Sequence, residues 1–211
     1  MTAADASRRR GQLFVIAAPS GAGKTSLVKA LVARKPELHV SISHTTRAIR
    51  PTEKEGREYY FIKREEFREK ADRGEFLEHA QVFDNYYGTG RAPVNEQLAQ
   101  GRNVILEIDW QGARQVRAAM PEARSIFILP PSRRALEERL RNRKTDSDEV
   151  IARRLRDAVG DMSHWNEFDY VVVNDDFERA TADLATIVEG NGASLIAARP
   201  SLSPLLADLL S

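Results

Sequence analysis

Four short runs of mostly aliphatic residues recur along the chain, and segments with helical spacing lie between or after them. The apolar runs cover residues 13–17, 104–108, 125–129 and 170–173. The helical patterns cover residues 24–34, 112–120, 132–141 and 176–188. Strands that are buried on both faces of a parallel sheet have such continuous apolar runs. The alternation therefore predicts an α/β fold, with a parallel sheet flanked by helices.

One long segment interrupts this alternation between the first two core strands. Residues 41–91 are rich in Arg, Glu and Tyr, and they include strand-like stretches at 59–62 and 76–83 around a helical pattern at 65–73. An insertion between two core strands is a suitable place to hold a second ligand. We therefore predict an inserted mixed α/β subdomain at about residues 43–91.

A second interruption is the polar turn at residues 142–147, which lies between Arg-rich helices. Such a turn predicts a mobile helical lid at about residues 139–156. The tail holds Pro200, Pro204 and scattered Leu, which allow a short docking helix or a frayed end. The predicted organisation is a flexible basic N-terminus at 1–11, one domain at 12–190 with its core at 12–42 and 92–190, and a C-terminal tail at 191–211.

Composition excludes several classes of function. The 211-residue chain has no Cys, so disulfides, thiolate metal sites and thiol catalysis are excluded. No apolar run approaches the roughly 20 residues of a membrane span, so we expect a cytoplasmic protein with no membrane partner. The net charge of +1 is unevenly distributed and predicts no nucleic-acid partner. The four His show no metal-ligand spacing, which argues against a zinc site.

A glycine-rich loop connects the first predicted strand to the first predicted helix. Backbone N–H groups and a helix N-terminus converge on an anion in such a loop, where Lys24 adds mobile positive charge and Thr25 a hydroxyl for Mg²⁺. We therefore expect the chain to bind a nucleoside triphosphate. The alternative is a glycine-rich turn that caps a surface helix. The loop residues are Ala18, Pro19, Ser20, Gly21, Ala22, Gly23, Lys24 and Thr25.

A group of basic and phenolic residues lies in the predicted insertion. Arg47 and Arg50 precede Tyr59 in a polar stretch. The planar fork of Arg suits phosphate oxygens, and the Tyr hydroxyl can join it, so this group predicts a cradle for a monophosphate. The alternative is a surface loop whose arginines pair with Glu53 and Glu55.

Carboxylates occupy two further positions of interest. Glu78 shares a strand face with Phe76, where it could accept hydrogen bonds from the N1–H and exocyclic amine of guanine; adenine lacks this donor pair. The alternative is a solvated strand glutamate. Glu107 and Asp109 flank the end of an apolar strand, where an acid can order Mg²⁺ and its waters or contact a second nucleotide. Asp109 could also merely cap the next helix.

Arginines surround the predicted lid. Arg139 and Arg143 are four residues apart on one helical face, and Arg154 follows on the next helix. Negative charge spreads over the transferred group during phosphoryl transfer, and mobile Arg side chains that close over it lower the barrier. The competing interpretation is salt-bridge support of the helices by the i,i+4 pairs Glu137–Arg141 and Glu149–Arg153.

Taken together, these residues resemble the guanylate kinase family over about residues 13–187. The resemblance implies a P-loop kinase core and the ATP-dependent phosphorylation of GMP and dGMP to the diphosphate in purine nucleotide metabolism, with Mg²⁺ as cofactor. Alternatives are a kinase of another small phosphorylated acceptor, such as ribose 1,5-bisphosphate, or a non-catalytic interaction module on the same scaffold. The most specific stretch is Thr45-Thr46-Arg47, Arg50, Glu53, Gly56, Tyr59 and Phe61.

The same resemblance implies a set of site residues. The implied catalytic residues are Lys24, Arg47, Arg139, Arg143 and Arg154. The implied ATP-binding residues are Ala18, Pro19, Ser20, Gly21, Ala22, Gly23, Lys24, Thr25, Ser26 and Asn174. The GMP phosphate is assigned to Arg47, Arg50, Tyr59 and Tyr87, and the guanine to Ser43, Glu78, Thr89 and Asp109. The Mg²⁺ is assigned to Thr25, with Asp109 acting through water.

Overall fold

A computed structural model of the chain describes residues 10–82, 84–142 and 148–211, and these divide into two compact units. The described residues of unit 1 are 10–15, 37–82 and 84–123, and those of unit 2 are 16–36, 124–142 and 148–211. The elements, in chain order, are β1 (Leu13–Ala17), α1 (Lys24–Arg34), β2 (His39–Val40), β3 (His44–Thr45), β4 (Tyr60–Phe61), α2 (Arg64–Asp72), β5 (Phe76–Val82), β6 (Asn85–Gly90), α3 (Arg91–Ala99), β7 (Val104–Glu107), α4 (Trp110–Ala119), β8 (Arg124–Leu129), α5 (Arg133–Arg141), α6 (Asp148–Met162), β9 (Tyr170–Val173), α7 (Phe177–Val188) and α8 (Ser203–Leu209).

Unit 1 contains strands of two sheets. In one, β2, β7 and the first residues of β1 are neighbours in that order, and β2 pairs with β7 in parallel. In the other, the strand order is β4-β3-β6-β5, with β3 parallel to β4 and antiparallel pairing elsewhere. This second sheet is built entirely from segments between residues 44 and 90. It therefore supplies the strands of the inserted region.

Aromatic packing holds α2 against the second sheet of unit 1. The buried Phe67 ring of α2 stacks on Phe76 with centroids 4.6 Å apart, and on Tyr86 with centroids 5.5 Å apart. A Cβ at Gly88 would lie 3.0 Å from the Phe76 ring and 3.1 Å from that of Phe67. A side chain at this position would therefore push the Phe67 and Phe76 rings apart by a few tenths of an ångström, so the close approach of α2 to β6 favours a glycine here.

Unit 2 contains the end of β1 and the parallel strands β8 and β9, whose side chains are almost all buried. Side chains cap two of its helices: the Ser132 hydroxyl accepts the Ala135 N–H at the start of α5, and Asp176 accepts the Arg179 N–H at the start of α7. Such caps satisfy N–H groups that have no partner within a helix. They explain where α5 and α7 begin.

Most elements predicted from apolar periodicity are confirmed. The strands predicted at 13–17 and 170–173 and the helix predicted at 24–34 have the observed bounds, and the remaining core elements differ by one or two residues at their ends. The tail beyond residue 191 forms two short 3₁₀ turns and α8, in which Leu209 is buried, so the docking-helix alternative is confirmed. Within the described residues, no helix is long and apolar enough to cross a membrane.

Two features of the sequence prediction lie outside the described residues. These are residues 1–9 of the basic N-terminus predicted at 1–11, and residues 143–147 of the polar turn predicted at 142–147, which include Arg143. The helices that flank this turn are α5 and α6.

Gly160 in α6 offers a direct test of helix stability. A Cβ at this position would meet nothing within 4 Å, and the residue has no positive φ. We expect Gly160→Ala to raise the free energy of unfolding by about 0.5–1 kcal/mol, because Ala loses less backbone entropy on folding. Thermal unfolding measures this as a rise in Tm. Gly74→Ala is the contrasting variant, since Gly74 has equally open surroundings but a φ of 68°, and it should lower Tm. A lower Tm for Gly160→Ala would contradict the expectation.

Candidate active site

The glycine loop of unit 2 has the backbone geometry of an anion-binding loop. It follows the fully buried strand β1, and α1 begins at Lys24 directly after Gly23. Gly21 and Gly23 have φ values of 90° and 95°, which side chains rarely allow. Because the N-cap Gly23 has no side chain to accept the first N–H groups of α1, this end of the helix suits an anion. The described geometry therefore matches the loop expected from the sequence.

Asn174 fastens the loop to the end of β9. Its side chain is buried, with 5% of the residue exposed, and its Nδ2 donates to the Ala22 carbonyl at 2.7 Å. A Cβ at Gly23 would lie 2.5 Å from the same Nδ2. The predicted ATP-site residues on the loop and Asn174 are therefore together in unit 2. Asn174 also fixes the loop's conformation, which the sequence analysis did not anticipate.

The helix α5 brings Arg139 to the same part of unit 2. Leu136 and Leu140 of α5 contact the glycine loop, since a Cβ at Gly21 would lie 2.9 Å from Leu136 Cδ1 and 3.0 Å from Leu140 Cδ2. Arg139 Nη2 donates to the Asn174 carbonyl at 2.8 Å. Its Nη1 is buried, and no hydrogen-bond acceptor for it lies among the described residues. Arg139 is thus held beside the loop, and its Nη1 can still donate a hydrogen bond to a ligand.

The structure describes only one of the other two arginines predicted to act in the lid. Arg154 lies on α6, and Arg143 lies outside the described residues. Salt-bridge support of the helices is also present, because Arg141 Nη2 lies 2.9 Å from Glu137 Oε1. Arg153 approaches Asp157 at 3.9 Å, one turn later on α6. Salt-bridge support therefore applies to Arg141 and Arg153, whereas the role of Arg139, Arg143 and Arg154 in phosphoryl transfer stays a prediction.

The predicted phosphate cradle of unit 1 is organised around Glu53. Arg47 Nη2 donates to Glu53 Oε1 at 2.8 Å, and the Arg50 backbone N–H donates to Glu53 Oε2 at 2.9 Å. The Arg47 guanidinium lies 5.5 Å from the centre of the Tyr59 ring, and Tyr59 meets Tyr87 edge to face at 5.9 Å. The structure therefore brings Arg47, Tyr59 and Tyr87 together. The Arg50 side chain is 67% exposed at its edge.

The pairing proposed as an alternative is thus present for Glu53. Glu55 is used differently, since its Oε2 accepts the Phe61 N–H at 3.0 Å. The hydrogen bond from Arg47 holds the pKa of the Glu53 carboxyl below its usual range, although burial acts in the opposite direction. Apart from its place in the motif that carries the family resemblance, Glu53 was interpreted in the sequence only as a competing partner of the arginines. The spacing of Glu53 six residues after Arg47 was the available signal that it orients the guanidinium.

Tyr59 is suited to donate a hydrogen bond in this cluster. Burial, together with the neighbouring Tyr87 and Glu107, raises the pKa of the Tyr59 hydroxyl. A phenol with a raised pKa keeps its proton at neutral pH. It can therefore offer an O–H to an anionic oxygen beside the positive charge of Arg47.

Glu78 is buried in unit 1, so the interpretation of a solvated strand glutamate is wrong. Only 3% of Glu78 is exposed, and its strand partner Thr89 is fully buried. The Thr89 hydroxyl donates to Glu78 Oε1 at 2.6 Å, and the Ser43 and Thr89 hydroxyls are 3.2 Å apart. Three of the four residues assigned to the base are therefore together. A buried carboxylate is costly to fold and needs partners to hold it.

The fourth assigned residue, Asp109, acts as a helix cap in this structure. Asp109 Oδ1 accepts the Gly112 N–H at 2.8 Å at the start of α4, as the alternative interpretation proposed. One carboxylate oxygen is thus engaged in the fold. Within the described ranges, no group of three or more His, Cys, Asp or Glu side chains is placed to hold a metal ion.

Comparison with known proteins gives a consistent result. The family model described as Guanylate kinase matches residues 10–191. Guanylate kinase from Methylococcus capsulatus is 56% identical over 201 residues, with 95% of this chain and 98% of that protein covered. Guanylate kinase from Pseudomonas fluorescens is 54% identical over 200 residues, with 95% and 97% covered.

A solved structure gives the same result for the fold. The crystal structure of guanylate kinase from Anaplasma phagocytophilum has a TM-score of 0.73 and 35% sequence identity to this chain, and the match covers 94% of each chain. Both the sequence and the three-dimensional similarity therefore extend over nearly the whole molecule. This chain belongs to the guanylate kinase family.

Proposed function

We propose that this chain transfers the γ-phosphoryl group of ATP to GMP, or to dGMP, and releases ADP and the nucleoside diphosphate. Membership of the guanylate kinase family supports the reaction class. The observation that carries the substrate assignment is the buried Glu78–Thr89 pair in a chain that also has an intact glycine loop. A cytoplasmic place in purine nucleotide metabolism stays a prediction from the sequence.

The donor nucleotide is assigned to unit 2. The β- and γ-phosphates of ATP would accept hydrogen bonds from the loop amides and from Lys24, since an N-terminal helix end and an ammonium group both favour anions. Arg139, with its reserve donor, and Asn174 border the loop. The proposed ATP-binding residues are Ala18, Pro19, Ser20, Gly21, Ala22, Gly23, Lys24, Thr25, Ser26 and Asn174.

The acceptor nucleotide is assigned to unit 1. The GMP phosphate would accept hydrogen bonds from Arg47, Arg50, Tyr59 and Tyr87. Glu53 would keep the Arg47 side chain oriented while no substrate is bound. The exposed Arg50 side chain can complete the cradle when the anion arrives. Bidentate hydrogen bonds from Arg to phosphate are both strong and directional.

Guanine is assigned to the buried hydroxyl and carboxylate group of the same unit. The Glu78 carboxylate would accept the N1–H and the exocyclic amine, while Ser43 and Thr89 offer hydroxyls beside it. Adenine would present the acceptor N1 to the carboxylate and leave buried polar groups unpaired, which costs affinity. We keep Asp109 in the proposed site because only its Oδ1 is used to cap α4.

The chemistry needs no dedicated general base. A phosphate oxygen of GMP is already anionic; it bonds to the γ-phosphorus of ATP while the bond from that phosphorus to the β,γ-bridging oxygen breaks, leaving the electron pair on ADP. Catalysis then comes from positioning and from stabilisation of charge on the transferred group. Lys24, Arg47, Arg139, Arg143 and Arg154 are the proposed cationic residues, and Arg143 lies outside the described residues.

A magnesium ion fits this donor set. Mg²⁺ usually keeps several waters and binds through one or two protein oxygens and substrate phosphates, so a dedicated cluster of carboxylates is not required. The Thr25 hydroxyl in the first turn of α1 would hold the ion, and the contribution of Asp109 through water stays a prediction from the sequence. The ion would neutralise charge on the β- and γ-phosphates.

The two alternative functions draw less support. A kinase that acts on ribose 1,5-bisphosphate has no base to read, so the buried Glu78–Thr89 pair would have no task. A non-catalytic interaction module would not need a glycine loop with Lys24 and Thr25 at the helix start.

The base-reading role predicts a loss of selectivity in Glu78→Gln. The variant exchanges one acceptor oxygen for an NH₂ group, which would face the guanine donors. We expect kcat/KM for GMP to fall about 10- to 100-fold, the cost of a lost hydrogen bond to a charged group. The measurement is ADP release with GMP, AMP, CMP and UMP offered separately. The wild-type chain should act on GMP.

Glu65→Gln is the matched control, because Glu65 lies exposed on α2 in the same unit. It should leave the rate with GMP unchanged. An unaltered rate with GMP in Glu78→Gln would refute the base-reading role. Preference of the wild-type chain for AMP, CMP or UMP would refute the proposed substrate.

A further inference from the structure

The strand that carries Glu78 lies at an edge of its sheet. The order β4-β3-β6-β5 gives β5 a strand neighbour only on the side of β6 within the described sheet. The pairing of β5 with β6 is also irregular directly before Glu78, because the register shifts between Phe76 and Glu78. Such an irregularity re-aims a side chain but loosens the ladder around it. The position of the Glu78 carboxylate therefore needs support from outside the sheet.

Gln115 of α4 supplies support at the next residue. Its Oε1 accepts the His79 N–H at 3.0 Å, and its Nε2 donates to the His79 carbonyl at 2.7 Å. The side-chain amide thus pairs with both backbone groups of His79, as a neighbouring strand would. It holds the edge of β5 one residue beyond Glu78. No motif in the sequence indicated this contact, which joins residues 36 positions apart.

Gly112, one turn earlier on the same helix, supplies space at Glu78 itself. A Cβ at Gly112 would fall well inside van der Waals contact of Glu78 Oε2, 3.1 Å from Glu78 Cδ and 3.3 Å from Ile108 Cδ1. Gln115 of the same helix is hydrogen-bonded to both backbone groups of His79, so α4 cannot easily move away from β5 at this point. The atom that must give way is the tip of a flexible side chain. A methyl group here would therefore displace the carboxylate before it disrupted the fold.

We propose that Gly112 and Gln115 are positioning residues for guanine recognition: Gly112 leaves room for the Glu78 carboxylate, and Gln115 fixes the strand that carries it. This inference rests on the proposed role of Glu78 in reading the base. It adds that α4, which carries none of the residues proposed to contact the base apart from its N-cap Asp109, contributes to selectivity between purines. Glu78, Gly112 and Gln115 all lie in unit 1.

Inosine monophosphate is the probe that isolates this role. It keeps the N1–H of guanine but lacks the exocyclic amine. A well-placed carboxylate therefore accepts one hydrogen bond fewer from IMP than from GMP. If the carboxylate is displaced, kcat/KM for GMP falls more than kcat/KM for IMP. General damage to the protein would instead lower kcat/KM for both substrates equally. The measurement is therefore the ratio of kcat/KM for GMP to that for IMP, with GMP affinity measured calorimetrically in the absence of ATP.

We expect Gly112→Ala to lower kcat/KM for GMP by about 10- to 100-fold and to lower the GMP/IMP ratio at least about fivefold, the scale of a misplaced charged hydrogen bond. The KM for ATP should not change. Gln115→Leu should lower the ratio by about two- to fivefold, because water can replace part of its exposed hydrogen bonding. Its calorimetric GMP affinity should fall in parallel.

Two controls separate the proposal from a folding defect. Gln111→Leu changes the same residue type at an exposed position one turn earlier on α4, and it should leave the ratio unchanged. Thermal unfolding reports whether Gly112→Ala is folded. If Gly112→Ala does not fold, the GMP/IMP ratio of kcat/KM measured for Gln115→Leu decides the outcome.

The failure of this proposal differs from failure of the proposed function. If Glu78→Gln collapses the GMP/IMP ratio while Gly112→Ala and Gln115→Leu leave it within twofold of wild type, the positioning role is overturned and the base-reading role stands. If Glu78→Gln itself leaves the ratio unchanged, the base-reading role fails, and the positioning role fails with it. A fall in the ratio for Gln111→Leu equal to that for Gln115→Leu would also overturn the proposal.

Discussion

Replacement of Lys24 by Ala is expected to lower kcat by about 10²–10³-fold, while the affinity for GMP changes less than about twofold. Lys24 is the first residue of α1 and directly follows Gly23, so its ammonium group is proposed to follow the charge on the transferred phosphoryl group. All the residues proposed to bind GMP lie in unit 1, whereas Lys24 lies in unit 2. The loss should therefore fall on turnover. Steady-state ADP release and calorimetric binding of GMP measure the two effects.

Lys29→Ala provides the matched comparison for this prediction. Lys29 lies on the same helix with an exposed side chain, so its removal changes the net charge equally without touching the loop. Its kcat should stay within about twofold of wild type, as is usual for a surface substitution. Full turnover in Lys24→Ala, or an equal loss in Lys29→Ala, would show that the assigned role of Lys24 is wrong.

Replacement of Gly23 by Ala is expected to damage ATP binding through the shape of the loop. The residue has a φ of 95°, and its Cβ would lie 2.5 Å from Asn174 Nδ2, the atom that donates to the Ala22 carbonyl. The backbone strain alone costs about 1–3 kcal/mol. The clash adds to this cost, because either the loop or the buried Asn174 must move. We expect KM for ATP to rise at least about 10-fold and Tm to fall.

Gly74→Ala separates the effect of backbone strain on stability from the effect of a changed loop on ATP binding. Gly74 also has a positive φ, 68°, but a Cβ there meets nothing within 4 Å. It should lower Tm through strain while KM for ATP stays as in wild type. An unchanged KM for ATP in Gly23→Ala would mean that the loop amides do not hold the nucleotide. Equal effects of the two variants on KM would lead to the same conclusion.

The core elements could be predicted because their signals are local. Strands buried on both faces need uninterrupted apolar side chains, and residues 13–17 and 170–173 have this pattern over their whole observed length. The glycine loop and α1 were similarly predictable, since the conformation of the loop depends on Gly21 and Gly23 themselves. The two-residue strands β2 and β3, the six-residue strand β6 and the helix α3 were not among the predicted elements. Two residues cannot display a period, β6 contains two glycines and no aliphatic side chain, and α3 contains Pro93 in its first turn and few apolar residues.

The sequence named candidate residues for the site but left the geometry of several of them open. The sequence left Glu78 either in a pocket or in solvent, and the packing of β5, β6 and α4 buries it. Asp109 was left as a ligand or a cap, and its bond to Gly112 makes it at least a cap. Arg47 was left as a phosphate ligand or an ion-pair partner, and its hydrogen bond to Glu53 gives it an orienting partner. Each of these outcomes depends on contacts between separate elements.

Residue order alone established the α/β core, the loop built for an anion and the candidate residues of both nucleotide sites, because these depend on side-chain periodicity and on neighbours a few positions apart. Folding established the burial of Glu78, the fastening of the loop by Asn174 and the hold of Gln115 on His79. Those contacts join residues as many as 152 positions apart. A hydrogen bond over such a separation exists only after packed helices and strands have brought its two groups within about 3 Å, so the local pattern carries no sign of it.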